Sequence, residues 1–241
     1  LIRTGSQDAK GEDGVMLGHA AIAMWWDIPP ELKAEFEDWH SHEHMPERLD
    51  IPGFLRGTRC IARSGEPSYF VLYEASKLAT ITTGAYLERL NHPTPWSLKM
   101  APHHRNMVRS LCRVRASFGG GLARAVATIR FSPSPRNGRP LLKWLTADAM
   151  PKLPRRKGLI AAHLLESQPM AGMQQTTEQR IRGADAAADR VLLICGYDVE
   201  AVQAVANELA AQTLVAHGAL PSAIAATYHP AYSLIPRDLA R

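Results

Sequence analysis

Trp39-His40-Ser41-His42-Glu43-His44-Met45-Pro46-Glu47-Arg48-Leu49-Asp50-Ile51-Pro52-Gly53-Phe54-Leu55 decides how the rest of the chain is read. Adding 105 to its landmarks gives Trp144, Met150-Pro151, Gly158 and Leu159-Ile160. A tryptophan, a Met-Pro pair, a glycine and the apolar pair after it keep one offset without a gap, so the sequence holds two copies of one unit. The segments upstream agree: 19–26 and 124–131 are both strand-like and both lead into Pro-rich turns. The copies are expected at 15–117 and 123–236, joined by a Gly-rich linker at 118–122. Residues 1–14 are polar and Gly/Asp-rich and are expected to be disordered.

Each copy reads in the same order. A strand (17–27 or 123–132) leads into a helix, opened in the first copy by Pro29-Pro30, since proline suits a first helical turn. Met45 precedes Pro46, and a residue before proline is pushed out of the helical region, which predicts a stop near His44. Strands at 54–63 and 69–75 make a hairpin, and a helix at about 78–90 and a strand at 105–116 complete the unit. The second copy gives strands at 159–167 and 190–197 separated by a long polar excursion, a helix at 199–217 and a strand at 223–234. The order βαββαβ, twice, predicts an α+β chain of two tandem ferredoxin-like units. Each antiparallel sheet has one face covered by helices, and packing the two bare faces together makes a pseudo-dimer.

The βαββαβ unit with Glu43-His44-Met45-Pro46 at the end of its first helix resembles the dimeric α/β-barrel superfamily. Glu43 to Leu49 followed by Ile51-Pro52-Gly53-Phe54, with Asn91-x-Pro93-Thr94-Pro95-Trp96 downstream, is similar to EthD-like and related uncharacterised bacterial proteins. The resemblance covers most of 17–116 and much less of the second half. It implies the fold more strongly than any one activity, because the superfamily spans cofactor-free monooxygenases, isomerases, cyclases, haem enzymes and plain ligand-binding domains.

At 46% hydrophobic and 21% charged over 241 residues, the composition is that of a globular chain with ample core material. Charges interrupt every apolar run short of the ~20 residues that a membrane helix needs, and no charged-then-apolar leader opens the sequence. Cys60, Cys112 and Cys195 are far apart and unpaired in spacing, which suits a reducing cytoplasm. A net charge of +5 from dispersed arginines fits an anionic small molecule and needs no nucleic acid. Phosphate-binding and nucleophile-elbow glycine motifs are missing, so nucleotide and serine-hydrolase chemistry are not expected.

Differences between the copies separate scaffold from chemistry. Opposite His40, His42 and His44 stand Leu145, Ala147 and Ala149; Glu43 becomes Asp148 and Glu47 becomes Lys152. On a regular helix His40, Glu43, His44 and Glu47 share one stripe, with His42 on the solvated side. His44 is the expected general acid/base, oriented by Glu43 or Glu47, with His40 beside it. His40-x-x-Glu43-His44 also spells an inverted zinc-protease motif. No downstream acid completes it, which leaves a metal on His40 and His44 as an alternative, with His92, His103 or His104 completing the set. The default expectation is no metal and no organic cofactor.

Alternation along 105–116 puts Arg105, Met107, Arg109, Leu111, Arg113 and Arg115 on one face, expected to look toward the second sheet, and Val108, Cys112 and Val114 on the helix-packed face. Arg109 or Arg113, with Arg59 as a weaker candidate, would then hold a substrate anion. His19, Trp25, His104 and Tyr228 are the remaining candidates for lining a cavity between the sheets, although Trp25 suits a core equally well. The expected function is acid/base chemistry on a small, anionic, aromatic metabolite: isomerisation, dehydration, lyase chemistry or cofactor-free oxygenation. A metal-dependent enzyme and a non-catalytic binding module are the alternatives. The working form would be a monomeric pseudo-dimer or a homodimer.

Overall fold

The computed structural model describes residues 16–63, 65, 67–82, 84–168, 175–183 and 185–239; the stretch expected to be disordered lies outside them. Eight strands run β1 Ala20–Asp27, β2 Phe54–Ala62, β3 Tyr69–Ala75, β4 Arg105–Gly119, β5 Ala125–Phe131, β6 Leu159–Ser167, β7 Arg190–Gly196 and β8 Ile224–Leu234. All pair antiparallel, in the closed order β1-β3-β2-β8-β5-β7-β6-β4. Each half contributes four neighbours, β4-β1-β3-β2 and β8-β5-β7-β6. The seams β2·β8 and β4·β6 join them, so no strand edge is left open. This is the dimeric α/β-barrel arrangement with both halves in one chain. Among the described residues no helix is long and apolar enough to cross a membrane.

The repeat extends to backbone detail. Gly53 and Gly158, kept at the same offset, both take positive φ (96° and 90°) just before β2 and β6, a conformation that costs glycine little and other residues much. A Cβ on Gly158 would stand 2.7 Å from Ala201 Cβ and 2.8 Å from Asp198 Cβ. Gly158→Ala is therefore expected to cost about 1–3 kcal/mol, read as a lowered midpoint of thermal unfolding with the far-UV spectrum preserved.

Neither long helix stops at its Met-Pro pair. In the first half a continuous helix, α1, covers 30–49: a 3-10 turn Pro30–Leu32, an α segment Lys33–Trp39, a π turn His40–His44 and a further α segment Met45–Leu49. Proline lacks an N–H and its ring collides with the carbonyl four residues back. The preceding π turn, with its i→i+5 bonding, accommodates both, and the helix goes on. The second half repeats the device, with a π turn Leu145–Ala149 ahead of Pro151. The helix expected at 78–90 is divided into a turn Leu78–Ile81 and α2 Ala85–Asn91, with Gly84 (φ 59°) between them, and a short α3 Pro95–Met100 follows.

Three cores hold the molecule together. One lies between α1 and the outer face of the first half's strands (Ile22, Met24, Trp26, Phe36, Met45, Tyr73, Leu111), and its twin lies in the second half (Ala127, Ile129, Leu145, Leu153, Leu164, Ile194). The third fills the barrel: Ala21, Ala23, Trp25, Cys60, Phe70, Cys112, Leu193 and Tyr228. Trp25 stacks on Phe70 at 5.1 Å and donates Nε1–H to Thr128. The space between the sheets is therefore packed; a cavity of about 50 Å³ near Cys60 and His163 holds a few waters at most. This reverses the expected sidedness of β4. Its register sets Leu111 opposite Ile22 and Arg109 opposite Met24, so Met107, Arg109 and Leu111 face the helices while Val108, Cys112 and Val114 face the barrel. Guanidinium groups need acceptors, and the dry interior supplies few.

Candidate active site beneath the first helix

The π turn changes which side chains share a face. Phe36, His40, His44 and Arg48, four apart, come to lie toward the sheet. Phe36, His40 and Arg48 are buried there, with Arg48 only 3% exposed. The His40 and His44 rings are 5.5 Å apart, and the Trp39 indole lies 4.4 Å from that of His44. His104, at the start of β4, closes the group against Trp26 (5.2 Å) and Phe36 (5.8 Å). The two carboxylates expected to orient His44 are engaged elsewhere. Glu43 accepts from Thr94 Oγ1 (2.5 Å) and Trp39 Nε1 (3.1 Å). Glu47 lies 3.8 Å from Arg48 and 3.6 Å from Arg89. His42 pairs with Asp38 at the surface.

Further partners come from the strands. Arg59 on β2 donates Nη1–H to the Glu37 carbonyl (3.1 Å) and stacks on Tyr232. Arg109 donates Nη2–H to Tyr86 Oη (2.8 Å), and the guanidinium groups of Arg109 and Arg48 lie 5.8 and 5.9 Å from the Tyr86 ring centroid. Of the residues expected around one cavity, His40, His44, His104, Arg59 and Arg109 come together here. The others are elsewhere. His19 is exposed, Arg113 is exposed and hydrogen-bonded to Gln168, and Trp25 and Tyr228 are packed inside the barrel on the other side of the sheet. His92 pairs with Glu88 on the surface. Among the described residues no three His, Cys, Asp or Glu side chains are placed to hold a metal ion, so the metal alternative on His40 and His44 lacks a third protein ligand of these types.

The second half supplies a roof. Where the first copy turns in a short hairpin, the second runs from β6 to β7 through 168–189, and its helix α4, Thr177–Arg182, packs on α2 and on 101–103. Thr177 N–H donates to Asn91 Oδ1, and Ala186 exchanges backbone hydrogen bonds with β4: Arg109 N–H donates to Ala186 O, and Ala186 N–H to Met107 O. Glu178, buried, accepts from Arg48 Nη2 at 2.5 Å and lies 3.6 Å from Arg182, which also grips Asp185 at 3.0 Å. A groove of about 520 Å³ reaches Arg109 between this roof and β4, within the usual range of ligand pockets.

Burial, then the positive charges of Arg59 and Arg48 respectively, holds His40 and His44 well below the usual imidazole range. Burial and Arg182 bring His104 to about 4. All three are neutral at pH 7. Several buried polar atoms here have no hydrogen-bond partner among the described residues: both ring nitrogens of His40, Nδ1 of His44, Nη1 of Arg48, Nε of Arg59 and Arg109, Oη of Tyr73 and Nε1 of Trp26. Unpaired buried polar atoms are few in folded proteins, and most of these are donors.

The internal repeat shows that the scaffold does not require them. By the shared offset and strand register, His40, Arg48, Arg59, Tyr73 and Arg109 occupy the positions of Leu145, Leu153, Leu164, Ile194 and Ala225. The four aliphatic residues Leu145, Leu153, Leu164 and Ile194 pack into a dry core. One position set thus makes a core in one half and a buried polar cluster in the other. Arg48 was legible in this offset, since it faces a leucine as His40 does. Glu178 and Arg182 were not, because the excursion has no counterpart in the first copy.

No known family model matches the sequence, and no curated protein matches it. Solved structures do. An "anthrone oxidase-like protein" superposes with a TM-score of 0.60 at 13% identity, over 90% of this chain and 92% of its own. A "putative monooxygenase from Lactobacillus acidophilus NCFM" gives 0.55 at 6% identity, over 90% and 97%. A "putative chlorite dismutase" gives 0.51 at 12% identity, over 91% and 96%. At such identities the likeness is one of fold, and it extends through both halves.

Proposed function

We propose that this chain is an enzyme in which the neutral imidazole of His44 takes a proton from a small, enolisable aromatic substrate and Arg48 and Arg109 hold the resulting oxyanion. The observation that carries the reading is the set of unpartnered buried nitrogens on His40, His44, Arg48 and Arg109 at positions where the other half places aliphatic side chains. His44 is half-buried whereas His40 is fully buried, so His44 is the more accessible of the two imidazoles. A base depressed by neighbouring positive charge holds a proton poorly when the site is empty. An enolate forming beside it offsets that charge and strengthens the base as the proton arrives. His40 and His104 then line the apolar wall with Trp26 and Trp39.

Among the reaction classes open to such a carbanion, oxygenation is favoured by the names of the fold neighbours. An anthrone loses a C–H proton to His44, the anion gives two electrons to dioxygen and takes up the peroxide, and loss of water leaves the quinone. One ketone and one O₂ give one quinone and one H₂O.

The test follows deuterium exchange at the acidic carbon of anthrone by NMR, and dioxygen uptake with quinone absorbance. Wild type should accelerate both, and His44→Ala should lower the rate by about 10²–10⁴-fold. Equal rates in the two proteins, or none above buffer with wild type, would overturn the reading.

A further inference from the structure

Glu178 is an anion delivered from the second half of the molecule into a cluster of basic side chains in the first. Among the described residues it is the sole carboxylate on Arg48 Nη2, and it lies 3.6 Å from Arg182 Nη1. Arg109, on the same Tyr86 ring as Arg48, adds a third guanidinium group to the cluster, while Asp185 takes the fork of Arg182. The match is incomplete. Arg48 Nη1, Arg109 Nε and Tyr73 Oη keep buried hydrogen-bonding capacity with no acceptor among the described residues. Two planar guanidinium forks suit the paired oxygens of a carboxylate, and a single glutamate tethered to α4 satisfies only part of them.

We propose that Arg48, Arg109 and Arg182 form a carboxylate-binding subsite, that Glu178 occupies it in cis when the roof is closed, and that the carboxylate of an aromatic ligand enters by displacing Glu178. This deepens the proposed function by naming the substrate class, an aromatic monocarboxylate or its equivalent oxyanion. It rests on that reading for the site's location, and its test needs no turnover. Displacement costs less than insertion into an apolar core would, because the subsite is already desolvated and charged. The roof segment around Ala186 stays held to β4 by backbone hydrogen bonds on either side of Val108, to Met107 O and from Arg109 N–H, so only α4 has to lift.

Benzoate, with uncharged benzamide as control, is titrated calorimetrically into the full chain. In Glu178→Gln the competitor is gone and benzoate should bind at least tenfold tighter than to wild type, with benzamide unchanged. In the double variant Arg48→Met/Glu178→Gln that gain should vanish. Glu178→Asp, which keeps the charge and retracts it by one methylene, should show a smaller gain and covers the case in which the glutamine variant does not fold. No gain in either folded single variant, or a gain that persists without Arg48, overturns the proposal and leaves Glu178 as a structural tie. If benzoate binds as expected while His44→Ala turns over like wild type, the subsite stands and the catalytic reading falls.

Discussion

Arg48→Met is expected to lower stability by about 3–5 kcal/mol, a fall of roughly 10 °C or more in the midpoint of thermal unfolding for a chain of this length. The reason is the charge left behind. Arg48 is 3% exposed and Glu178 4%, and removing the guanidinium strands a carboxylate in the protein with Arg182 at 3.6 Å as its remaining cation. Methionine fits the space, as Leu153 does at the same position of the second half, so the loss comes from electrostatics and not from a void. Arg48→Met/Glu178→Gln should therefore recover most of the stability, since removing both partners of a buried pair is often near neutral. A single variant as stable as wild type, or a double variant as damaged as the single, would mean that the pair does not bind the roof to the first half.

Fold and site were unequally legible in the sequence, for physical reasons. The repeat fixed the strand order because its landmarks are positions where backbone geometry admits few residues: the glycines at positive φ and the prolines that follow a π turn. Local rules failed where a second element compensated. Pro46 breaks a regular α-helix, yet the π turn absorbs it and thereby moves Glu43 and Glu47 away and Arg48 inward, a four-residue stripe that α-helical spacing does not give. Alternation along β4 separates two faces but does not say which of them meets the helices. Both faces mix apolar and polar residues, and only pairing with β1 distinguishes them. His40, His44 and His104 were visible as residues without apolar counterparts. The roof was not, because Glu178 reaches Arg48 across 130 residues of sequence, a separation on which periodicity carries no information.

Acid should unfold this protein early, through its histidines. His104 and His163 have pKa values near 4, and burial and neighbouring cations push His40 and His44 in the same direction. An unfolded histidine titrates near 6.5. Between about 6.5 and 4 the unfolded chain therefore holds protons that the folded chain refuses, and stability falls as pH falls, by up to about 1.4 kcal/mol per pH unit for each such group. His163 shows why the folded form resists. It is buried, and the Arg56 guanidinium nearby disfavours a further positive charge. Glu47 and Glu74, raised by burial, work the other way, because the folded state takes their protons more readily, but they are two against four. About 3 kcal/mol from each of His104 and His163 by pH 4 is already comparable with the whole stability of many domains. Urea unfolding followed from pH 7.5 to 4.5 should show the midpoint falling steeply below pH 6.5, and His163→Gln should flatten that fall by one group's share. A midpoint flat over this range would mean that these imidazoles titrate in the native state as they do in the unfolded chain, and the burial and positive charge on which the proposed base depends would have no effect on it.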